Sequence, residues 1–214
     1  MTLTRSAVAF LAVLASAVAP SLARAETEEP PHTVVLEDGA FQLRDYAPMI
    51  LAEITVETPR ERAGNAAFEA LANYIFAKGE EARATDTISM TAPVTTTPAR
   101  ETIEMTAPVT QAEGGEGRWT VAFVMPSKWT METLPAPVND AIELREQPGR
   151  RVAVVTFDGR NTDENVMPAK ARLEAWMAEN DLAPAGSAEY AFYDPPSTPP
   201  AQRRNEVMIP VEAR

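Results

Sequence analysis

Apolar and polar residues alternate in two short stretches that read alike. Ala40-Phe41-Gln42-Leu43-Arg44-Asp45 places Phe41 and Leu43 on one face of a strand, and Ala141-Ile142-Glu143-Leu144-Arg145-Glu146 does the same with Ile142 and Leu144. A turn signal follows each, Ala47-Pro48 in one and Pro148-Gly149 in the other. Second strands then span 50–56 and 152–157. The period next changes to that of a helix: Phe68, Leu71, Ala72 and Ile75 share one face, and Leu173, Trp176 and Met177 another. Pro168 is tolerable only in an opening turn, and Gly79 and Asn180-Asp181 mark the helix ends. Two strand-like runs follow each helix, 88–94 and 119–125 in the first half, 189–193 and 206–211 in the second.

Each half thus reads as hairpin, helix, hairpin. One helix and a small sheet enclose too little core alone, so two copies, about 40–126 and 141–211, are expected to pair about a pseudo-twofold axis. The fold class is α+β, a distorted eight-stranded antiparallel barrel or sheet flanked by two helices. A smaller repeat is nested within the first half. Ile88-Ser89-Met90-Thr91-Ala92-Pro93-Val94-Thr95 recurs as Ile103-Glu104-Met105-Thr106-Ala107-Pro108-Val109-Thr110, and the pair is expected to form a long hairpin.

The N-terminus changes the picture. Arg5, the uncharged run from Ala7 to Ala19 and Ala23-Arg24-Ala25 form a signal-peptide pattern, with cleavage expected after Ala25. The apolar run is too short to span a bilayer, and no cysteine follows it to carry a lipid. The sequence therefore predicts a periplasmic or secreted protein without a stable membrane anchor. Residues 26–33 read as a flexible acidic lead-in and 34–212 as one domain. Cleavage removes Arg5 and Arg24 and no acid, taking the net charge from −12 to −14. That charge repels nucleic acid and anionic membrane. The oligomeric state is not legible.

Catalytic constellations are scarce. One histidine and no cysteine leave no Ser-His-Asp, Cys-His or zinc site, and no phosphate loop or dinucleotide fingerprint occurs. The expectation is a binding protein rather than an enzyme. A hydrolase using Glu206 with Tyr190 or Tyr193 is the weakest reading.

Five motifs, in one consistent order over about residues 34–212, resemble the SOUL haem-binding family. They are Met-Thr-Ala-Pro-Val after the first helix, Phe123-Val124-Met125-Pro126 with Leu134-Pro135-Ala136-Pro137, Tyr193-Asp194-Pro195-Pro196, and Arg203-Arg204-Asn205-Glu206-Val207. The resemblance implies two βα repeats and a tetrapyrrole groove bordered by the first helix, whose lining here would be Phe68, Leu71, Ala72, Ile75 and Met90. It implies haem, a related tetrapyrrole or another small apolar molecule as partner. Kinship with gyrase-inhibitor-like effector domains makes a general module for apolar or cationic ligands the alternative.

Axial ligation by histidine departs from this pattern. His32, the sole imidazole, lies before the domain, so haem is expected to be held by apolar contact without a His ligand. The methionines read as pocket walls or core filler. Lys78, Arg83, Arg203 and Arg204 are candidates for a ligand's carboxylates, and Glu206 for either a buried ligand group or a structural partner.

Overall fold

The computed structural model describes residues 27–78, 102–115 and 117–212. The predicted leader, the strand at 88–94, Gly79, Arg83 and Met90 lie outside the described residues. Among the described residues nine antiparallel strands and two α-helices follow in the order β1 (His32–Asp38), β2 (Phe41–Tyr46), β3 (Met49–Glu57), α1 (Arg60–Ile75), β4 (Val109–Glu113), β5 (Arg118–Val124), β6 (Glu143–Gln147), β7 (Arg150–Phe157), α2 (Asp163–Glu179), β8 (Glu189–Phe192) and β9 (Asn205–Pro210). The class is α+β, as the alternation predicted.

The strands form one sheet in the order β1-β2-β7-β9-β8-β4-β5-β3-β6. Without β1 the order is palindromic. The first-half pairs β3·β5 and β4·β5 mirror β7·β9 and β8·β9, β2·β7 mirrors β6·β3, and β4·β8 lies at the centre. Each half therefore lends its first strand to the other. β1 is the strand that the sequence pattern did not announce. It pairs with β2 and carries a bulge between Val34 and Leu36, and its side chains are exposed throughout. A strand with no buried face leaves no alternation to read.

Period-2 alternation divides the sheet's side chains into two faces. Ala52, Val121 and Phe123 meet Ala63, Ala67, Leu71 and Ile75 of α1, and Ala153, Val155, Val207 and Ile209 meet Val166, Leu173, Trp176 and Met177 of α2. Both helices thus cover one face. Their N-termini meet across the centre of the sheet. Arg60, 5% exposed, donates to Asp163 and Asn161, and the Glu61 carboxylate accepts the Asp163 amide at 2.8 Å. A carboxylate there complements the positive end of the α2 dipole.

Three local expectations need correction. Pro168 is six residues into α2 rather than in its opening turn. It is exposed, so the hydrogen bond it forgoes falls on the solvent side of the helix, where its loss costs least. The second pentapeptide copy is not a hairpin strand. Its Ile103 is buried and donates its amide to the Ile75 carbonyl at 2.7 Å, tying the segment to the end of α1, and pairing begins only at Val109. Finally, the lead-in is held in place. Pro30 is buried, Ala107 donates to the Glu28 carbonyl at 3.0 Å and Ala47 to that of Pro31 at 3.0 Å, and His32 belongs to β1.

Candidate functional site

The sheet face away from the helices is concave. Tyr46 of β2 and Gln147 of β6, far apart in the strand order, line the same 210 Å³ hollow. Its apolar floor is Met49, Leu51, Ala122 and Val124 from one half, with Met208 from the other. Two bidentate ion pairs stand on its wall: Arg145 holds Glu53 at 2.8 and 3.0 Å, and Arg150 holds Glu189 at 2.5 and 2.6 Å. A second hollow of 520 Å³ adjoins the first, sharing Pro30, Met49, Val124 and Gln147. Met125, Trp129 and Met131 line it, and Glu28, Glu29, Glu132 and Glu146 make its rim acidic. The larger hollow falls within the ~300–1,000 Å³ usual for small-molecule sites; the smaller alone falls below it.

Under the palindrome Arg44 and Arg145 are equivalent, and both point to the concave side. Their settings have diverged. Arg145 and Glu53 are partly exposed, whereas Arg44 and Glu206 are almost fully buried, at 3.0 and 2.9 Å, with side chains 8% and 2% exposed. Tyr193 Oη donates to Glu206 at 2.7 Å, and Arg44 donates to Tyr46 Oη at 3.0 Å. Burial pulls the Arg44 guanidinium down, but Glu206 and Tyr46 outweigh this and raise its hold on its proton. Burial, reinforced by the Glu206 charge, pushes the Tyr193 phenol up, and burial also pushes Tyr46 up against the opposing influence of Arg44. Glu206 is thus a structural counter-ion, paired with Arg44 rather than with the adjacent Arg203 or Arg204.

That arrangement bears on chemistry. A phenol that clings to its proton is a poor nucleophile, and the partner carboxylate is already occupied. Tyr190 lies on the opposite face, beneath Arg60, whose Cζ is 5.2 Å from the ring centroid. Tyr190 is therefore kept apart from Glu206, while the Tyr193 hydroxyl is committed to Glu206 as a hydrogen-bond donor. Among the described residues no group of three His, Asp or Glu side chains is placed to hold a metal ion.

The residues expected on the first-helix face separate. Leu71 and Ile75 are 0% and 1% exposed, packed between α1 and the sheet; Ala72 is half-buried. Phe68 is the exposed member, 43% accessible, with its ring edge-on to Phe123 at 5.7 Å. Neither hollow is lined by any of the four. Sequence periodicity finds a buried face but does not distinguish a core from a ligand cleft. His32 stands beside Tyr46, ring centroids 4.9 Å apart, with Nδ1 3.0 Å from the Pro30 carbonyl.

The cationic candidates also separate. Arg203 donates to the Thr198 and Pro196 carbonyls, and Lys78 lies over the Phe76 ring at the end of α1. Arg204 reaches Glu29. Sequence reasoning missed the concave lining of Met49, Leu51, Thr110 and Ala122, because β3 and β5 carry apolar residues on both faces and no alternation marks this one.

Comparison with known proteins places this geometry. No curated protein matches the chain. A solved hydrolase from Listeria innocua superposes with a TM-score of 0.51 at 12% identity, covering 88% of this chain and 94% of that one. The C-terminal domain of EcmrR gives 0.53 at 14% identity, covering 80% and 96%. An uncharacterized conserved protein from Listeria innocua gives 0.51 at 14% identity, covering 88% and 94%. At such identities the likeness is one of fold. Residues 27–210 match the family model of the SOUL heme-binding protein, and the chain belongs to that family.

Proposed function

We propose that this protein binds haem or a related tetrapyrrole on the concave face, without catalysing a reaction, and buffers or carries it in the periplasm. The observation that carries the reading is the apolar floor of Met49, Leu51, Ala122, Val124 and Met208, flanked by arginines, in a chain of the haem-binding family. The residues suit a flat apolar ring with acidic substituents. Trp129 Nε1 and Arg150 Nε are buried donors without acceptors among the described residues, and both residues line the hollows. Haem would supply its own iron chemistry; the chain supplies apolar contact and hydrogen-bond donors. His32, the one histidine, stands beside Pro30 and Tyr46 and lines neither hollow, so the reading leaves the iron without a His ligand.

The palindromic strand order supports reading the domain as an internal duplication, and the N-terminal pattern supports export with a mature N-terminus at Glu26. A lipophilic cation is the alternative ligand, favoured by the acidic rim of the second hollow. Against it, the buried acid Glu206 already holds a cation of its own.

Titrating the mature protein with haemin and following the Soret band tests the reading. Thr110→Trp, which fills the smaller hollow, is expected to abolish binding, whereas His32→Ala leaves the band unchanged. Loss of binding in Phe68→Asp with normal binding in Thr110→Trp would instead put the ligand on the first-helix face.

A further inference from the structure

We propose that Arg204 is a carboxylate-receiving site at the end of the concave trough, where Glu29 stands in for the acid group of an amphipathic ligand. The inference deepens the tetrapyrrole reading and rests on it only for the ligand's identity.

The guanidinium is built into place. Its Cζ lies 3.5 Å from the Tyr193 ring centroid, Tyr193 is anchored by its bond to Glu206, and the Arg204 amide donates to Asp194 at 2.7 Å. Stacking on an aromatic face leaves the edge of the planar fork free to meet a carboxylate. Arg44, Arg145, Arg150 and Arg151 each hold an acid with two donors. Arg204 holds Glu29 with one, at 2.5 Å, and its buried Nε has no acceptor among the described residues. The pair is also open to solvent, with side chains 42% and 38% exposed, so an incoming acid can reach it.

Glu29 is placed to yield. The backbone on either side is clamped, at the Glu28 and Pro31 carbonyls, so release needs only a side-chain rotation. Glu28 and Glu29 wall both the second hollow and the space over Arg204, while Pro30 divides the second hollow from the first. A molecule whose apolar body lies on the concave floor and extends into the second hollow therefore has its acid end directed towards Arg204. In a mature chain of net charge −14, such a local cation offsets the repulsion an acidic ligand meets.

The test uses the mature chain, its Glu29→Gln and Arg204→Gln variants, and three probes: haemin, haemin dimethyl ester and dodecanoate. Glu29→Gln is expected to tighten haemin about threefold, the scale of losing an exposed competing ion pair, and to leave the diester unchanged. Arg204→Gln should weaken haemin to the level of the diester, and Arg204→Lys should recover part of the loss. Equal haemin-to-diester ratios in the wild type and Arg204→Gln, with circular dichroism unchanged, overturn the proposal. If haemin binds none of the proteins, the tetrapyrrole reading fails separately, and dodecanoate decides. Gain in Glu29→Gln and loss in Arg204→Gln support the site, while equal affinity or no binding in all three proteins rejects it.

Discussion

Arg44→Met removes one half of a buried ion pair and leaves the other. Glu206 is 2% exposed, and two of its three hydrogen bonds come from Arg44; only the Tyr193 hydroxyl remains. Truncating one partner of such a pair costs about 3–5 kcal/mol, because a carboxylate stays buried without its counter-charge. For a domain of this size each kcal/mol lowers the thermal midpoint by roughly 2–4 °C, so a fall of about 6–20 °C is expected. The double variant Arg44→Met, Glu206→Gln removes both charges and should regain most of the loss. Guanidinium denaturation of all three proteins measures these differences. A single-variant deficit below about 1 kcal/mol, or a double variant no better than the single, would refute the view that Arg44 compensates a buried charge.

Two further outcomes follow from burial. Leu71→Ala should cost about 2–5 kcal/mol by opening a cavity under α1, while Phe68→Ala, which loses one edge-on ring contact at a solvent-open position, should cost about 1.5 kcal/mol or less; chemical denaturation separates them. Tyr46 and Tyr193 are both raised above the ordinary phenol value of 10.0, so their contribution to stability is complete below about pH 10 and is lost as pH rises beyond it, when the unfolded chain ionises first. Unfolding free energies between pH 8 and 11 should therefore decline, and the decline should lessen in Tyr193→Phe.

The elements were legible where burial has a period. Phe41 and Leu43, or Leu173 and Trp176, show their faces because one side meets the core. Likewise the matched strings around Arg44 and Arg145 lie on β2 and β6, which hold mirrored places in the strand order. β1 was not legible, because Val34, Val35 and Leu36 are apolar yet exposed, and its place is set by backbone pairing with β2. The segment around Ile103 reads as a hairpin strand in the sequence, whereas a buried side chain and a hydrogen bond to Ile75 hold it against the end of α1. The concave floor lies on the positions of β3 and β5 that alternate with the core, and Met49, Leu51 and Ala122 there look in sequence like one more buried strand. The pairing of Glu206 with Arg44 spans 162 residues, beyond any local pattern.

The exchange of first strands between the halves has a consequence for how the chain reaches its folded state. β2 emerges early in synthesis, yet its inner neighbour is β7, with Phe41 opposite Val155, and β7 in turn takes β9 as its other neighbour, with Val155 opposite Val207. A nascent chain that has produced only the first half holds β3, β4 and β5 with no β6 to close their edge and a β2 with nowhere to pair inward. Neither half is a folding unit, so the sheet cannot be completed domain-fashion from the N-terminus. Nearly the whole polypeptide must be available before the long loops close, which gives the fold a high contact order and slow, all-or-none formation. Removing β9 alone, the last strand of the sheet, would strip β7 and β8 of their shared neighbour and split the sheet between the two halves of the strand order.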